Sequence, residues 1–196
     1  MVAGDGSGAL CWKTISKKEA YRANVFTVFE QTSLGPNGKK GIFSVLEARD
    51  WAVVVPVIER PEGNQFLMVR QYRHGADCVS LEFPGGVIET GESPAAAAAR
   101  ELTEETGWAT GEIYPLASVY PNPAVQSNHF HIFIAMNPAP SRRQSLDENE
   151  VIDAILFPAE EIEQKMGSGE LCHALMVSAL FFAGRFLQER TRKRGR

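Results

Sequence analysis

EFPGGVIETGESPAAAAARELTEETGW, residues 82–108, is the stretch that decides the fold of this chain of 196 residues. It contains five consecutive alanines, the residue with the highest helix propensity. Ser93 followed by Pro94 has the form of a helix N-cap with proline at the first helical position. Gly107 is a typical residue at the C-terminal end of a helix. The stretch therefore predicts a helix over residues 94–106.

Glutamates crowd one side of this predicted helix. Glu101 and Glu105 lie one turn apart and share a face, with Glu104 beside them. Like charges at this spacing repel each other unless water solvates them or a cation binds them. Carboxylates at this density suit Mg²⁺ or Mn²⁺, and a glycine turn at Gly85 and Gly86 lets the backbone approach what they hold. From the helix alone, a solvated acidic face is the simpler interpretation.

The spacing of the whole stretch adds a second kind of information. Counting from Gly86, five residues precede Glu92 and seven more precede Arg100, which opens the run Arg-Glu-Leu-x-Glu-Glu-x-Gly before the apolar Trp108. This order resembles the signature of the Nudix hydrolases, in which an aliphatic residue usually stands in place of Trp108. Nine fixed positions in 23 residues make chance a poor explanation. The resemblance implies an α/β fold, the Nudix-type α/β/α sandwich around a mixed β-sheet.

The same resemblance implies roles for the charged residues. Mg²⁺, with Mn²⁺ as a substitute, is expected to be held by the carbonyl of Gly85, by Glu101 and Glu105, and by Glu104 directly or through water. Arg100 and Glu92 are expected to orient these carboxylates through charge-assisted hydrogen bonds. The implied reaction is the cleavage of a nucleoside diphosphate linked to another group. Water attacks phosphorus, and the metal activates the water and neutralises the diphosphate.

The resemblance continues before the signature. The runs VRQYRHG, residues 69–75, and LEFPGG, residues 81–86, look like the segments that lead into the signature in ADP-ribose pyrophosphatases and related nucleoside diphosphate sugar hydrolases. Arg70 and Arg73 are therefore candidates to bind the diphosphate side of the substrate. A regular strand places them on opposite faces, so both cannot face the site, and Arg73 is the favoured candidate. The alternative is a surface arginine paired with a nearby carboxylate.

Two further residues are candidate substrate contacts. Pro123 lies fifteen residues after Trp108, where proline is typical of the ADP-ribose branch and tyrosine of diadenosine polyphosphate hydrolases. Trp51 could stack on the base, although a core position is the commoner fate of such a residue. The favoured function is hydrolysis of ADP-ribose or a related nucleoside diphosphate sugar to a nucleoside monophosphate and a sugar phosphate. The alternatives are a dinucleotide, a nucleoside triphosphate or a capped RNA end as substrate, or a non-catalytic nucleotide sensor.

The base that activates the water requires another carboxylate, because a carboxylate that binds metal is a poor proton acceptor. The segment SLDENEVID, residues 145–153, is the dense acidic segment downstream of the signature, and it is placed as a mobile loop before a strand. It looks like the loop that carries a catalytic glutamate in ADP-ribose pyrophosphatases. Glu148 and Glu150 are both candidates, and the sequence does not separate them. A solvated acidic loop is the alternative, in which case the candidates are Glu104 as the base or metal-bound hydroxide alone.

The N-terminal part of the chain is expected to form an extension. Residues 1–45 are predicted to carry a β-hairpin that belongs to the same domain, and residues 46–196 form the Nudix hydrolase domain. The hairpin consists of strands over residues 24–34 and 41–48, with apolar faces to bury. Because it resembles a region that can cross to a second subunit in the ADP-ribose branch, a homodimer is expected. Two late helices are predicted over residues 158–166 and 172–190.

Composition excludes some classes of protein. A formal net charge of -4 argues against a generally basic nucleic-acid surface, and the basic end, residues 190–196, is expected to be solvated and frayed. Three cysteines far apart suit a reducing compartment, and the chain does not begin like a signal peptide, so a cytoplasmic location is expected. The apolar run at residues 174–184 is too short to span a bilayer and predicts a buried helix.

Overall fold

A computed structural model of the protein describes residues 7–194. The strands and helices in this range are, in chain order, β1 (Lys13–Arg22), β2 (Phe26–Leu34), β3 (Lys40–Ala48), β4 (Trp51–Ile58), β5 (Gln65–Arg73), β6 (Cys78–Glu82), β7 (Gly85–Val87), α1 (Pro94–Thr106), β8 (Trp108–Ala109), β9 (Ile113–Val119), β10 (Phe130–Met136), β11 (Ala139–Pro140), β12 (Ile152–Pro158), α2 (Ala159–Lys165) and α3 (Ala174–Arg194). Short 3₁₀ turns lie at Ser7–Ala9 and Gly169–Leu171. The chain forms two compact units. The first contains the residues up to Arg49 together with Tyr120–Asn128, and the second contains Asp50–Val119 and the residues from His129 onward.

The first unit contains a three-stranded antiparallel sheet in the order β1-β2-β3. The predicted hairpin forms β2 and β3, with Phe26 opposite Ala48 and Leu34 opposite Lys40. The sequence did not predict β1, which pairs with β2. All ten residues of β1 are exposed, so it lacks the alternation of buried and exposed positions by which a strand is recognised. The domain division between residues 45 and 46 stays a prediction.

The second unit is built on a mixed sheet in the order β12-β5-β4-β10-β9, with β6 beside β5 and β7 beside β4. β4 and β10 are parallel, and the other pairs are antiparallel. Side chains of β4 are buried on both faces, as expected of a strand covered by helices on each side. One face packs against α3 through Met176 and Ala179, and the other against α1 through Ala97 and Leu102. This arrangement confirms the predicted α/β/α architecture.

Helix α1 has the predicted bounds and ends. The side chain of Ser93 accepts the N–H of Ala96 at 3.2 Å, and Gly107 adopts the left-handed conformation with φ 76°. Ala97 and Ala98 are completely buried, so the alanine run lets the helix lie close to the sheet. This close packing sets the distance between β4 and β7 and the glutamates in the last turns of α1.

Two other segments differ from expectation. The segment predicted as a glycine turn is strand β7, in which Gly86 lies opposite Ala52 of β4. The basic end is not frayed as far as Arg194, because α3 continues to that residue and its guanidinium donates to Glu59 at 2.7 Å. Residues 195 and 196 lie outside the described residues. Within residues 7–194, no helix has both the length and the apolar character needed to cross a membrane.

Candidate active site

Arg100 lies at the centre of a group of carboxylates around α1. Its guanidinium donates to both oxygens of Glu92 at 3.0 and 3.1 Å, and to Glu101 and Glu104 at 2.9 Å each. It also donates to the carbonyl of Val87 in β7 at 3.1 Å. Hydrogen bonding from Arg100 holds the pKa of Glu92 below its ordinary value. One arginine therefore orients three carboxylates and ties α1 to β7.

Glu105 is the most buried carboxylate of α1, with 4% of its surface exposed. It accepts the N–H of Gly85 at 2.9 Å. Burial raises the pKa of Glu105 to about 8, and the charges of Glu101 and Glu150 act in the same direction, while the Gly85 hydrogen bond opposes them. Burial also raises the pKa of Glu101, against the charge of Arg100. Two desolvated carboxylates with like-charged neighbours favour a cation between them.

These side chains suit a hard divalent cation, since the donors are carboxylate oxygens, which Mg²⁺ prefers. A Cβ at Gly86 would overlap the carboxylate of Glu101, so the glycine leaves room beside that carboxylate. Across residues 7–194, no three His, Cys, Asp or Glu side chains are arranged as a ready metal site. Arg100 and the Gly85 N–H hold the carboxylates in their present positions. The ligand roles expected of Gly85, Glu101, Glu104 and Glu105 stay predictions.

The two candidate arginines of β5 have different partners. Arg73 forms a bidentate pair with Glu82, at 2.7 and 2.6 Å, and the side chain of Glu82 is 1% exposed. Glu82 raises the pKa of Arg73, and the charge of Glu105 on α1 adds to this effect. Arg70 donates instead to the exposed Glu170 at 3.0 Å. Arg73 is therefore the arginine whose charge acts on the α1 carboxylates, and both substrate roles stay predictions.

The loop between β11 and β12 carries the two candidate bases. The carboxylate of Glu150 accepts the N–H of Asp147 at 3.0 Å, and the N–H of Glu150 donates back to the Asp147 carbonyl at 3.0 Å. The charge of Glu150 raises the pKa of both Glu101 and Glu105. Glu148 and Glu150 are both exposed on this loop. Glu150 is the one of the two whose charge acts on the α1 carboxylates, and the identity of the base stays a prediction.

The remaining candidate substrate residues lie in different units. Trp51 begins β4, opposite Val87 of β7, and its side chain packs against the core on the α3 side of the sheet. This is the face opposite to α1, and it suits the core interpretation of this aromatic residue. Pro123 belongs to the first unit, in an exposed turn. Contact of either residue with substrate stays a prediction.

Sequence reasoning gave no role to two residues that contact the site. Glu82 ends the largely buried strand β6, and this position is a usable signal, because a buried carboxylate requires a partner. Gln144 donates through its side-chain amide to the backbone carbonyl of Glu105. Gln144 lies in an irregular loop without periodicity, so no pattern in the sequence indicates this contact.

Comparison with known proteins agrees with this geometry. The NUDIX domain family model matches residues 48–175. The chain belongs to the Nudix family. The family, the fold and the hydrolase class expected from the sequence are thereby confirmed. Nudix hydrolases in general use a divalent metal, as the α1 carboxylates suggest.

The chain is similar along most of its length to several Nudix proteins. It is 27% identical to the ADP-ribose pyrophosphatase of Bacillus subtilis (strain 168), over 86% of this chain and 90% of that protein. It is 26% identical to the ADP compounds hydrolase NudE of Escherichia coli (strain K12), over 85% and 88%. The crystal structure of an ADP compounds hydrolase superposes with a TM-score of 0.79 at 24% identity, covering 91% of this chain and 95% of that one. This last match supports the fold.

Proposed function

We propose that this Nudix protein hydrolyses the diphosphate bond of ADP-ribose or a related nucleoside diphosphate sugar, with Mg²⁺, to a nucleoside monophosphate and a sugar phosphate. The observation that carries the proposal is the buried Glu105 beside Glu101 on α1, with Arg100 orienting the neighbouring carboxylates. The relatives that align over most of the chain act, by their names, on ADP-ribose and ADP compounds. The carboxylates support the metal-dependent chemistry, and the names of the relatives support the class of substrate.

The chain's own residues divide the work of this reaction. Glu101, Glu104 and Glu105, with the carbonyl of Gly85, would hold Mg²⁺, which neutralises the diphosphate and activates the attacking water. Arg100 keeps two of these carboxylates oriented. Glu150 accepts the proton of the attacking water. Arg73, held by Glu82, offers its remaining donors to the diphosphate.

The substrate class is tested by a panel at fixed Mg²⁺ with chromatographic separation of products. The panel contains ADP-ribose, ADP-glucose, GDP-mannose, NADH, a dinucleoside polyphosphate, nucleoside triphosphates and a capped RNA. We expect the highest kcat/KM with ADP-ribose or another nucleoside diphosphate sugar. A higher value with a dinucleotide, a triphosphate or the RNA end would contradict the proposed substrate and leave the Nudix chemistry in place.

The metal role is tested with Glu101→Gln and Glu105→Gln. Each is expected to cost several kcal/mol of transition-state stabilisation while the fold is retained, because one charge is lost from the metal ligands. Glu163→Gln, on the exposed side of α2, is the matched control and is expected to keep full activity. Near-normal turnover of either α1 variant at saturating Mg²⁺ would remove that residue from the ligand set.

The base is tested by comparing two neighbours on one loop. Glu150→Gln is expected to lower kcat on the order of 10²–10⁴-fold, the usual contribution of a general base, with little change in substrate affinity. Glu148→Gln is the control and is expected to remain close to wild type. The reverse result would assign the base to Glu148. Full turnover in both variants and in the double variant would favour Glu104 or metal-bound hydroxide alone.

We also propose a cytoplasmic homodimer. The first unit exposes several large apolar side chains on and beside β1–β3, namely Trp12, Ile15, Tyr21, Val25, Ile42 and Phe43. Association with a second copy of the chain would bury exposed apolar side chains of this size. Cys11, Cys78 and Cys172 are free, as suits a reducing compartment.

A further inference from the structure

The C-terminal end of α1 is covered by the start of the loop that carries Glu150. The last carbonyls of a helix have no partner within the helix and need donors from elsewhere. Here the N–H groups of Ser141 and Arg142 donate to the carbonyl of Gly107 at 2.9 and 3.1 Å, and the N–H of Ser145 donates to the carbonyl of Glu104 at 2.9 Å. The loop therefore begins on the last turn of the helix that carries the metal-ligand candidates.

The side chain of Gln144 adds a further contact to these backbone hydrogen bonds between the loop and α1. Its amide nitrogen donates to the carbonyl of Glu105 at 2.5 Å and to the carbonyl of Ile152 at 3.4 Å. An amide NH₂ group has two hydrogens, so it can serve both acceptors at once. Ile152 is the first residue of β12, and residues 145–151 lie between the two attachment points. The Gln144 amide thus bridges the two ends of the segment that contains Glu150.

We propose that Gln144 is a positioning residue that fixes the Glu150 loop to the end of α1. The inference rests on the proposed function, because it assigns the proton-accepting carboxylate to this loop. The Gln144 amide contacts the carbonyl of Glu105 in the last turn of α1 and the carbonyl of Ile152 at the start of β12. These two contacts hold the segment on both sides of Glu150.

The test compares Gln144→Met, which keeps the length of the side chain and removes its donors, with Gln164→Met as control. The Gln164 amide donates to Glu160 at 3.1 Å on the exposed surface of α2, so the control loses a hydrogen bond elsewhere. We expect kcat of Gln144→Met to fall about tenfold, the loss that corresponds to one hydrogen bond, with KM and thermal stability nearly unchanged. Gln144→Lys restores a donor and is expected to recover most of the turnover.

A double variant separates positioning from general structural damage. If Gln144 acts through Glu150, adding Gln144→Met to Glu150→Gln lowers kcat no further. A multiplied loss in the double variant, or wild-type turnover in Gln144→Met, would overturn the inference. Amide hydrogen exchange gives a readout that does not depend on activity. We expect faster exchange over residues 145–151 in Gln144→Met, and unchanged exchange would contradict the bridge even if no substrate of the panel were cleaved.

Discussion

Gly85 and Gly86 are neighbours in β7, yet an added side chain would meet different groups at the two positions. At Gly85 a Cβ would overlap the backbone of β4, at the carbonyl of Ala52 and the Cα of Val53. At Gly86 it would overlap the carboxylate end of Glu101. The backbone of β4 can move only if the sheet moves with it, whereas the flexible side chain of Glu101 can rotate away. The fold therefore requires glycine at position 85, and the orientation of Glu101 requires it at position 86.

Gly86→Ala is accordingly expected to damage the site more than the fold. Displacing the Glu101 carboxylate should weaken Mg²⁺ binding about 10- to 100-fold, as the loss of support for a metal ligand typically does. Gly85→Ala is the comparison and should reduce the free energy of unfolding by about 1–3 kcal/mol through overpacking. Isothermal titration with Mg²⁺ and urea unfolding measure the two effects. Equal destabilisation by both substitutions would contradict this division.

Glu82 is a carboxylate that the fold buries together with its partner. Burial by itself raises the pKa of Glu82, but the hydrogen bonds and charge of Arg73 outweigh burial and hold the pKa below its ordinary value. A carboxylate with a lowered pKa in the folded state stabilises the protein above its unfolded pKa of about 4.3. That stabilisation is lost as the pH falls through the lower pKa of the folded state.

Glu82→Gln is therefore expected to have a pH-dependent effect on stability. At pH 7 the free energy of unfolding of the variant should be about 1.5–3 kcal/mol lower than that of the wild type, the range for a hydrogen bond to a charged group. The difference from wild type should begin to narrow as the pH falls below about 4.3, because the unfolded chain takes up the Glu82 proton there, before the folded protein does. Glu170→Gln, which removes the exposed partner of Arg70, should cost less than about 1 kcal/mol. A difference that stays constant between pH 7 and pH 3.5 in urea unfolding would contradict the ion-pair explanation.

The C-terminal end of α1 and the loop after β11 pack closely against each other. Gly107 ends α1 in the left-handed conformation, and a Cβ there would overlap the carbonyl of Arg142. The same glycine thus serves the helix end and the close approach of the loop. Gly91 has a similar φ of 83°, but a Cβ at that position would meet nothing within 4 Å. Both glycines adopt the left-handed conformation, but an added side chain would meet the loop only at Gly107.

Gly107→Ala is expected to cost more than Gly91→Ala for this reason. In both variants, placing a side chain in the left-handed region lowers the free energy of unfolding by about 1–2 kcal/mol. Gly107→Ala must also displace the loop at Arg142, so its unfolding free energy should fall further and its kcat should decline, while Gly91→Ala keeps its turnover. Urea unfolding and steady-state kinetics on the two variants decide the point. Indistinguishable variants would mean that the loop does not depend on its contact with Gly107.

The sequence predicted those elements whose signals are local. Ser93, Pro94 and Gly107 specify both ends of α1 through caps that need no distant partner. Helical spacing also accounts for the contact of Arg100 with Glu104, four residues further on, whereas the pairing of Arg100 with Glu92 was expected from the family resemblance. Gln144 could not be found in this way, because its acceptors are backbone carbonyls and one of them lies 39 residues away in the chain.

At the scale of the whole molecule, the strands differ in how well the sequence predicts them. β4 was recognised because it is apolar throughout, and it occupies the centre of the mixed sheet. β1 was missed because all of its side chains are exposed, and only its pairing with β2 makes it a strand. Strand order and the pairing of Arg73 with Glu82 depend on contacts across the sheet, for which a single sequence carries no direct signal.

The exposed apolar side chains of the first unit bear on the assembly of the protein. Ile42 of β3 is 72% exposed, a high value for a large aliphatic side chain, and it is one of the exposed apolar residues on which the proposed dimer rests. A twofold interface contains the same patch from both copies, so Ile42→Lys would introduce two charges into it. We expect multi-angle light scattering to give the mass of two chains for the wild type and a shift toward one chain for Ile42→Lys. Removal of residues 1–45 should act in the same direction.

Val177→Lys on α3 provides the matched control, since Val177 is also an exposed aliphatic residue but lies in the second unit. It introduces the same charge outside the proposed interface and should leave the mass unchanged. If the two lysine variants dissociated equally, the interface would not be specific to the first unit. A wild-type protein with the mass of one chain at micromolar concentration would contradict the dimer itself.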